Sequence, residues 1–236
     1  MSALEPVAYS HGDIPLTGWL ARPVGPARAA VVIYPTIANA NNAVERRAGM
    51  LAKADYIAFI ADFYGQPVDD FAHAGKLAGE LRADPAFYRE RLAAAISALR
   101  AVPETGSLPV AAIGYCMGGG AALEVARDGQ DIVAAVSFHG LLETPLPATS
   151  GSVKARVLVL HGDADPMVPR SHVTAFWEEM DRAGANWHFH SYSGVKHGFT
   201  DPASDKRDLD AVAYDASADR QSWKAMLSFL DEVLDR

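Results

Sequence analysis

The segment Gly114-Tyr115-Cys116-Met117-Gly118 sets a nucleophilic thiol between two glycines. It lies where an apolar run, Pro109 to Gly114, passes into a small-residue run, Met117 to Arg127. A nucleophile on so sharp a strand-to-helix turn adopts strained backbone angles, so the positions two before and two after it must be nearly free of side chain. Gly114 and Gly118 meet that requirement, and Gly119 and Gly120 extend the close packing. The turn exposes the thiol at the end of a sheet and aims a helix amino terminus at it, which favours the thiolate. The competing reading is an ordinary buried cysteine; the clustered glycines weigh against it. The same glycines are not a phosphate loop, because no Lys-Ser/Thr follows them.

A nucleophile of this kind needs a base, and the base needs an orienting acid. The run Arg156-Val-Leu-Val-Leu160 is followed by His161-Gly-Asp163-Ala-Asp165-Pro-Met-Val-Pro169, two aspartates on a loop at the carboxyl end of a strand. One of them is expected to do no more than shape the turn. Farther on, Tyr192-Ser-Gly-Val-Lys-His197-Gly-Phe199 places a histidine on a loop after the last strand-like segment. Nucleophile, acid, histidine is the chain order of the α/β-hydrolase fold, not of chymotrypsin or subtilisin. Among the eight histidines, His188 and His190 alternate on a strand and imitate a metal pair, but no third ligand is evident and both read as solvent-facing. His139 ends a strand and is expected either to line the mouth of the site or, equally, to serve a structural role. His161 is expected to support the acid loop, and His11, His73 and His172 to lie on the surface.

The elements that must position these groups alternate. Pro6 to Tyr9 and Ile14 to Arg22 flank a Ser-His-Gly-Asp turn and read as a hairpin. Strands are expected at Ala29–Tyr34, Tyr56–Ala61, Pro109–Gly114, Ile132–Phe138, Arg156–Leu160 and Trp187–Tyr192. Helices are expected at Ala43–Ala54, Ala86–Ala101, Met117–Arg127 and Arg170–Ala183, with a closing helix lined by Trp223, Met226, Leu227, Leu230 and Leu234. Residues 62–85, with Gly65, Pro67, Gly75 and Gly79, read as an irregular insertion whose glycines allow it to act as a lid. Such alternation predicts right-handed crossovers and a mostly parallel central sheet with helices on both faces, with ligands bound at the carboxyl ends of the strands.

The 236 residues, half of them hydrophobic and 21% charged, suit a single α/β domain, 1–236, with a full core. A formal net charge of −8 disfavours nucleic-acid or anionic-membrane partners. One cysteine excludes an intrachain disulfide and multi-thiolate clusters. No signal peptide is read at the start, and the charge-free stretch Thr105–Leu123 is broken by Pro109 and five glycines, so no spanning helix is expected. The expected setting is cytoplasmic, the expected state a monomer or homodimer, and no metal or organic cofactor is implied.

At these residues the chain resembles the dienelactone hydrolase family of α/β-hydrolases over nearly its whole length. The resemblance rests on the Gly-Tyr-Cys-Met-Gly-Gly elbow, the His-Gly-x-x-Asp-x-x-Val-Pro loop, the His-Gly-Phe segment, and Ser222-Trp223 ahead of Met226-Leu-Ser-Phe-Leu230. It implies a hydrolase of carboxylic esters or lactones, with Cys116 as nucleophile, Asp165 rather than Asp163 as acid, and His197 as base. It also implies oxyanion-hole amides at Met117 and Ile37, and substrate contacts from Thr36, Tyr115, His139, Arg82 and Phe199. Two departures stand out. Thr36 occupies the position of a family glutamate held to activate the resting cysteine, so activation falls to His197 and the helix dipole. Thr200-Asp201-Pro202 replaces an arginine that grips the substrate carboxylate; Arg82 is the residue considered in its place, although an exposed surface arginine is the more expected reading of it. These departures motivate a second reading, a non-catalytic or redox-responsive protein on the same scaffold. Acyl transfer to an acceptor other than water shares every residue.

Overall fold

The computed structural model describes residues 4–235. Its strands hydrogen-bond in the order β1-β2-β4-β3-β5-β6-β7-β8, an eight-stranded, mostly parallel sheet accompanied by helices. The chain divides into two compact units, Met1–Ile113 and Gly114–Arg236.

In the first unit β1 (Glu5–His11) and β2 (Ile14–Ala21) form the expected hairpin, with His11 opposite Ile14 and Gly12 at positive φ in the turn. β3 (Ala29–Tyr34) and β4 (Tyr56–Ile60) are parallel and buried at every residue, as their continuous apolar sequence requires. Between them runs α1 (Asn42–Lys53), whose first-turn amides of Ala43 and Val44 donate to the Asn41 side chain.

Residues 62–85 are more ordered than their glycines suggest. Phe71–Arg82 is a helix, α2, capped by the Asp70 side chain at the His73 amide. Ala74, Leu77, Ala78 and Leu81 recur at helical spacing and are its buried stripe. Gly75 and Gly79 fall on a face where an added Cβ would meet nothing, so they weaken the helix without preventing it. A second Asp cap, Asp84, followed by Pro85, opens α3 (Pro85–Arg100). His11, expected on the surface, is half-buried: its ring lies on Phe87, and its Nδ1 accepts from Arg91 Nε.

The second unit contains α4 (Met117–Arg127), β6 (Ala134–Phe138), β7 (Arg156–Gly162), α5 (Arg170–Ala183), β8 (Trp187–Tyr192) and α6 (Ala216–Leu234). β5 (Val110–Tyr115) carries the chain into it. β6, β7 and β8 are parallel, and β8 alternates between half-buried and exposed residues as befits an edge. A buried ion cluster fixes α4. Arg127 makes a two-pronged contact with Glu179 of α5 at 2.8 Å on both oxygens, bonds Glu124 at 2.9 Å, and donates to the Leu142 carbonyl at 2.7 Å. The Ala148 amide also donates to Glu179, so one guanidinium and its partner tie together two helices and the loop after β6.

Removing one partner from such a cluster leaves uncompensated buried charge. Arg127→Leu is expected to cost about 3–5 kcal/mol in denaturant unfolding. Replacing Arg127, Glu124 and Glu179 together by apolar residues is expected to cost distinctly less.

Candidate active site

Cys116 joins β5 to α4 at φ 57 and ψ −120, a backbone conformation that a side-chain-bearing residue rarely adopts. The local sequence explains how the chain reaches it. A Cβ on Gly114 would lie 1.8 Å from the Gly118 carbonyl oxygen, so only glycine lets the strand end pass the first helical turn. A Cβ on Gly119 would fall 2.7 Å from the Gly140 Cα and 2.8 Å from the Ser137 Oγ, so α4 also seats directly on the loop after β6. The Cys116 amide donates to the Phe138 carbonyl and to His139 Nδ1, each at 3.1 Å. Its carbonyl accepts from the Gly119 and Gly120 amides, and its side chain is half-buried. Met117, the first residue of α4, places its amide in the helix's positive first turn.

The acid and histidine loops are sewn to each other along the backbone. The amides of Asp163 and Ala164 donate to the carbonyls of Tyr192 and Val195, and a Cβ on Gly162 would sit 2.4 Å from the Val195 oxygen. That close approach brings Asp165 Oδ2 to 2.7 Å from His197 Nδ1, with the Asp165 side chain fully buried. The Met167 amide satisfies the other oxygen, Oδ1, at 2.8 Å. The His197 backbone is clamped in turn, its amide donating to the Ala211 carbonyl and its carbonyl accepting from the Ala213 amide. Asp163 points outward to the exposed guanidinium of Arg170, at 2.6 and 3.0 Å, which holds its carboxyl below the usual range. Of the two aspartates, Asp165 meets the histidine.

His197 Nε2 is buried with no hydrogen-bond partner among the described residues, and Cys116 lies close enough to influence the ring electrostatically. Burial disfavours the imidazolium. The hydrogen bond with Asp165 and the electrostatic influence of Asp165 and Cys116 outweigh it and push the His197 pKa up to about 10. Because coupling is reciprocal, the imidazolium favours the thiolate as the thiolate favours the imidazolium.

The remaining expected residues separate into two groups. In the second unit Tyr115, His139 and Phe199 are all buried: Tyr115 stacks on Phe138 at 4.6 Å, and Phe199 meets the His139 ring edge-to-face at 5.1 Å. His139 therefore does not line an open mouth; its ring is taken up by the Cys116 amide and by Thr200 Oγ1 at 2.9 Å. His161, expected to support the acid loop, packs on Phe189 and makes no hydrogen bond through either ring nitrogen; burial keeps its pKa low. Asp201 caps a short 3-10 helix, Pro202–Lys206, and pairs with Arg207 at 2.8 Å. His188 and His190 are exposed on β8, and no cluster of potential metal ligands occurs among the described residues.

In the first unit Thr36 Oγ1 accepts from the Asn41 side chain and the Ala38 amide, so it builds its own loop. The Ile37 carbonyl accepts from Tyr64 Oη, and Arg82 is exposed in the last turn of α2, near that helix's negative end. Sequence reasoning missed Asp62, just past β4. Its carboxylate accepts from the Asn39 side chain and from the amides of Thr17, Tyr64 and Gly65, while Asn39 at positive φ accepts from the Phe63 amide. An aspartate directly after a buried strand and before a Gly-containing turn was the available signal.

The sequence profile of the dienelactone hydrolase family matches residues 16–234. A dienelactone hydrolase-like promiscuous phosphotriesterase from metagenomic libraries is 33% identical, with a TM-score of 0.92 and 98% of each chain covered. A Bradyrhizobium sp. protein named as a probable 2-oxo-3-(5-oxofuran-2-ylidene)propanoate lactonase is 27% identical over 248 residues, covering 97% of this chain and 96% of that one. An uncharacterized Caenorhabditis elegans protein is 41% identical over 148 residues, which is 61% of this chain and 93% of its own.

A His197 pKa raised from 6.5 to about 10 has a signed consequence. The imidazolium's contribution to stability is complete below about pH 6.5 and is lost as pH rises through about 10. Alkylation of Cys116 by iodoacetamide is expected to slow only a few-fold between pH 8 and pH 6, where an ordinary thiol of pKa about 8.5 slows by nearly a hundredfold. Asp165→Asn is expected to restore the steep, ordinary profile.

Proposed function

We propose a specific chemistry for this chain, which belongs to the dienelactone hydrolase family: hydrolysis of a carboxylic ester or lactone through a cysteinyl acyl-enzyme. The observation that carries the reading is the 2.7 Å Asp165–His197 contact beside a thiol on a strained, glycine-flanked turn. In the proposed cycle the Cys116 thiolate adds to the carbonyl carbon, and the oxygen gains charge that the Met117 amide at the α4 amino terminus is suited to receive. Collapse of the tetrahedral adduct breaks the carbon–oxygen bond, and the leaving alkoxide takes the Nε2 proton of His197. For a lactone that alkoxide stays tethered to the acyl group. His197 then accepts a proton from water, the hydroxide adds to the thioester, and the thiolate leaves, restoring the ion pair. Asp165 holds the ring in the tautomer that presents Nε2 to the reaction and stabilises each imidazolium.

One feature favours an uncharged substrate within this class. Thr200, where the resemblance implies an anion-gripping arginine nearby, is spent on His139, and the adjacent Asp201 is spent on capping and Arg207. Separately, Thr36, in the position of the activating glutamate, is spent on its own loop, so activation of the thiol falls to His197 and the helix amino terminus. The lactonase name of the Bradyrhizobium relative supports placing lactones beside simple esters in a test panel.

The test is turnover of p-nitrophenyl acetate and butyrate, a neutral enol-lactone and a carboxylate-bearing dienelactone, before and after iodoacetamide. Iodoacetamide-sensitive turnover of the neutral substrates, at rates exceeding the anionic lactone, is expected. Cys116→Ala is expected to lower kcat by about a thousandfold or more with the fold intact, because the glycines and not the thiol shape the turn. Activity retained in that variant would remove the nucleophile from the account. A readily alkylated Cys116 with no turnover of any ester would favour redox response or acyl transfer to another acceptor.

A further inference from the structure

His139 stands directly after β6, 2% exposed, with φ at +40. It and Cys116 are both non-glycine residues at positive φ, and a hydrogen bond joins them: the Cys116 amide donates to His139 Nδ1 at 3.1 Å. A backbone amide is a donor with nothing to accept, so Nδ1 must present its lone pair and the ring proton must sit on Nε2. Nε2 lies 2.9 Å from Thr200 Oγ1, a hydroxyl that is 4% exposed and able to accept that proton. The two contacts thus select one tautomer, neutral and Nε2-protonated. The surroundings agree with it. The His197 ring stands edge-on at 5.1 Å, and a second imidazolium there would oppose the charge His197 carries beside Cys116. Phe199 at 5.1 Å and Tyr115 at 6.1 Å close the remaining sides of the ring with aromatic surface.

We propose that His139 is a positioning residue for Cys116: as the neutral Nε2-protonated tautomer, held by Thr200, it captures the Cys116 amide and keeps the strained elbow aimed at His197. The inference rests on the reading of Cys116 as nucleophile and adds to it a second histidine whose task is to stay uncharged. The Phe138 carbonyl shares the same amide at 3.1 Å, so the strand ladder alone already supplies an acceptor. What His139 adds is an anchor that comes from the His197 side of the site, through Thr200 on the loop three residues past His197. It couples the direction of the thiol to the direction of its base. A strained conformation persists only while its surroundings over-determine it, and this contact is the over-determination on the thiol's side.

The experiment uses the full chain with His139→Leu, His139→Asn and Thr200→Val. Each is measured for Tm, for kcat and KM on p-nitrophenyl butyrate, and for the iodoacetamide alkylation rate at pH 7. His139→Leu is expected to lose about 100-fold in kcat and in alkylation, with KM changed by less than about twofold, since misaim of this kind costs about that factor. His139→Asn is expected to recover at least about tenfold of the loss, because its Oδ1 accepts the same amide and asparagine tolerates positive φ. Thr200→Val is expected to fall between. Wild-type alkylation and turnover in His139→Leu, or an Asn variant no better than the Leu variant, would overturn the proposal. If the Leu variant fails to fold, the Asn and Val variants still rank the contact. A nitrogen-15 histidine spectrum of the wild-type chain tests it without substitution: a proton on Nδ1 of His139 sinks it. Alkylation and the tautomer are read without turnover, so a failure of the ester-hydrolase reading is distinguishable from a failure of this one.

Discussion

The backbone crossing at Gly114 and Gly118 is the constraint on which the rest of the site depends. An added methyl at Gly114 would sit inside van der Waals contact of the Gly118 carbonyl, and Gly119 is nearly as tight against Gly140. Through that close crossing the chain passes from β5 into α4 with Cys116 at φ 57 and ψ −120. Strain of that sort, worth about 1–3 kcal/mol per residue, needs a surround that does not yield. The Phe138 carbonyl and the His139 ring hold the amide, the Gly119 and Gly120 amides hold the carbonyl, and Arg127 pins the far end of α4 to α5. Every one of these partners is either backbone or a buried side chain with its own partner. The backbone that carries the thiol is thereby held at both its amide and its carbonyl.

Electrostatics follow from that placement. Asp165 and Asp163 are two residues apart on one loop, yet one is sealed against His197 and the other is spread over an exposed arginine. Burial decides the difference in worth: an exposed Asp163–Arg170 pair contributes little, whereas a fully buried carboxylate with both oxygens satisfied acts on the imidazole with far less solvent screening. In the proposed chemistry a Cys116 thiolate would complete a row of alternating charge after the carboxylate and the imidazolium, each member stabilising the next. A neutral His139 packed edge-on to His197 preserves that alternation.

Much of this was legible in the sequence, and the exceptions share a cause. The elbow could be read because Gly114, Cys116 and Gly118 act on one another across four residues of chain. The helices at 117–127 and 170–183 and the strand at 187–192 fall where their periodicity puts them. Residues 71–82 were obscured by Gly75 and Gly79, though the Ala74, Leu77, Ala78, Leu81 stripe was present and outweighed them. The contacts that escaped are long-range and involve backbone groups. His139 bonds an amide 23 positions back, and Asp62 accepts from the Thr17 amide 45 positions back. No residue type at position 116 or 17 advertises a backbone donor, so histidine and aspartate there carry no visible pattern until the sheet assembles. Asp165 was separable from Asp163 only through a resemblance to known proteins, because turn chemistry suits both.

The central claim is that Cys116 bonds covalently to the acyl group during turnover, and rapid acid quench followed by intact-protein and peptide mass spectrometry tests it most directly. During steady-state hydrolysis of p-nitrophenyl butyrate the account predicts a population of chain heavier by one butyryl group, with the increment on the peptide containing Cys116 and absent after iodoacetamide. Release of p-nitrophenolate with the increment on another residue, or with Cys116 unmodified through a pre-steady-state burst, would contradict it.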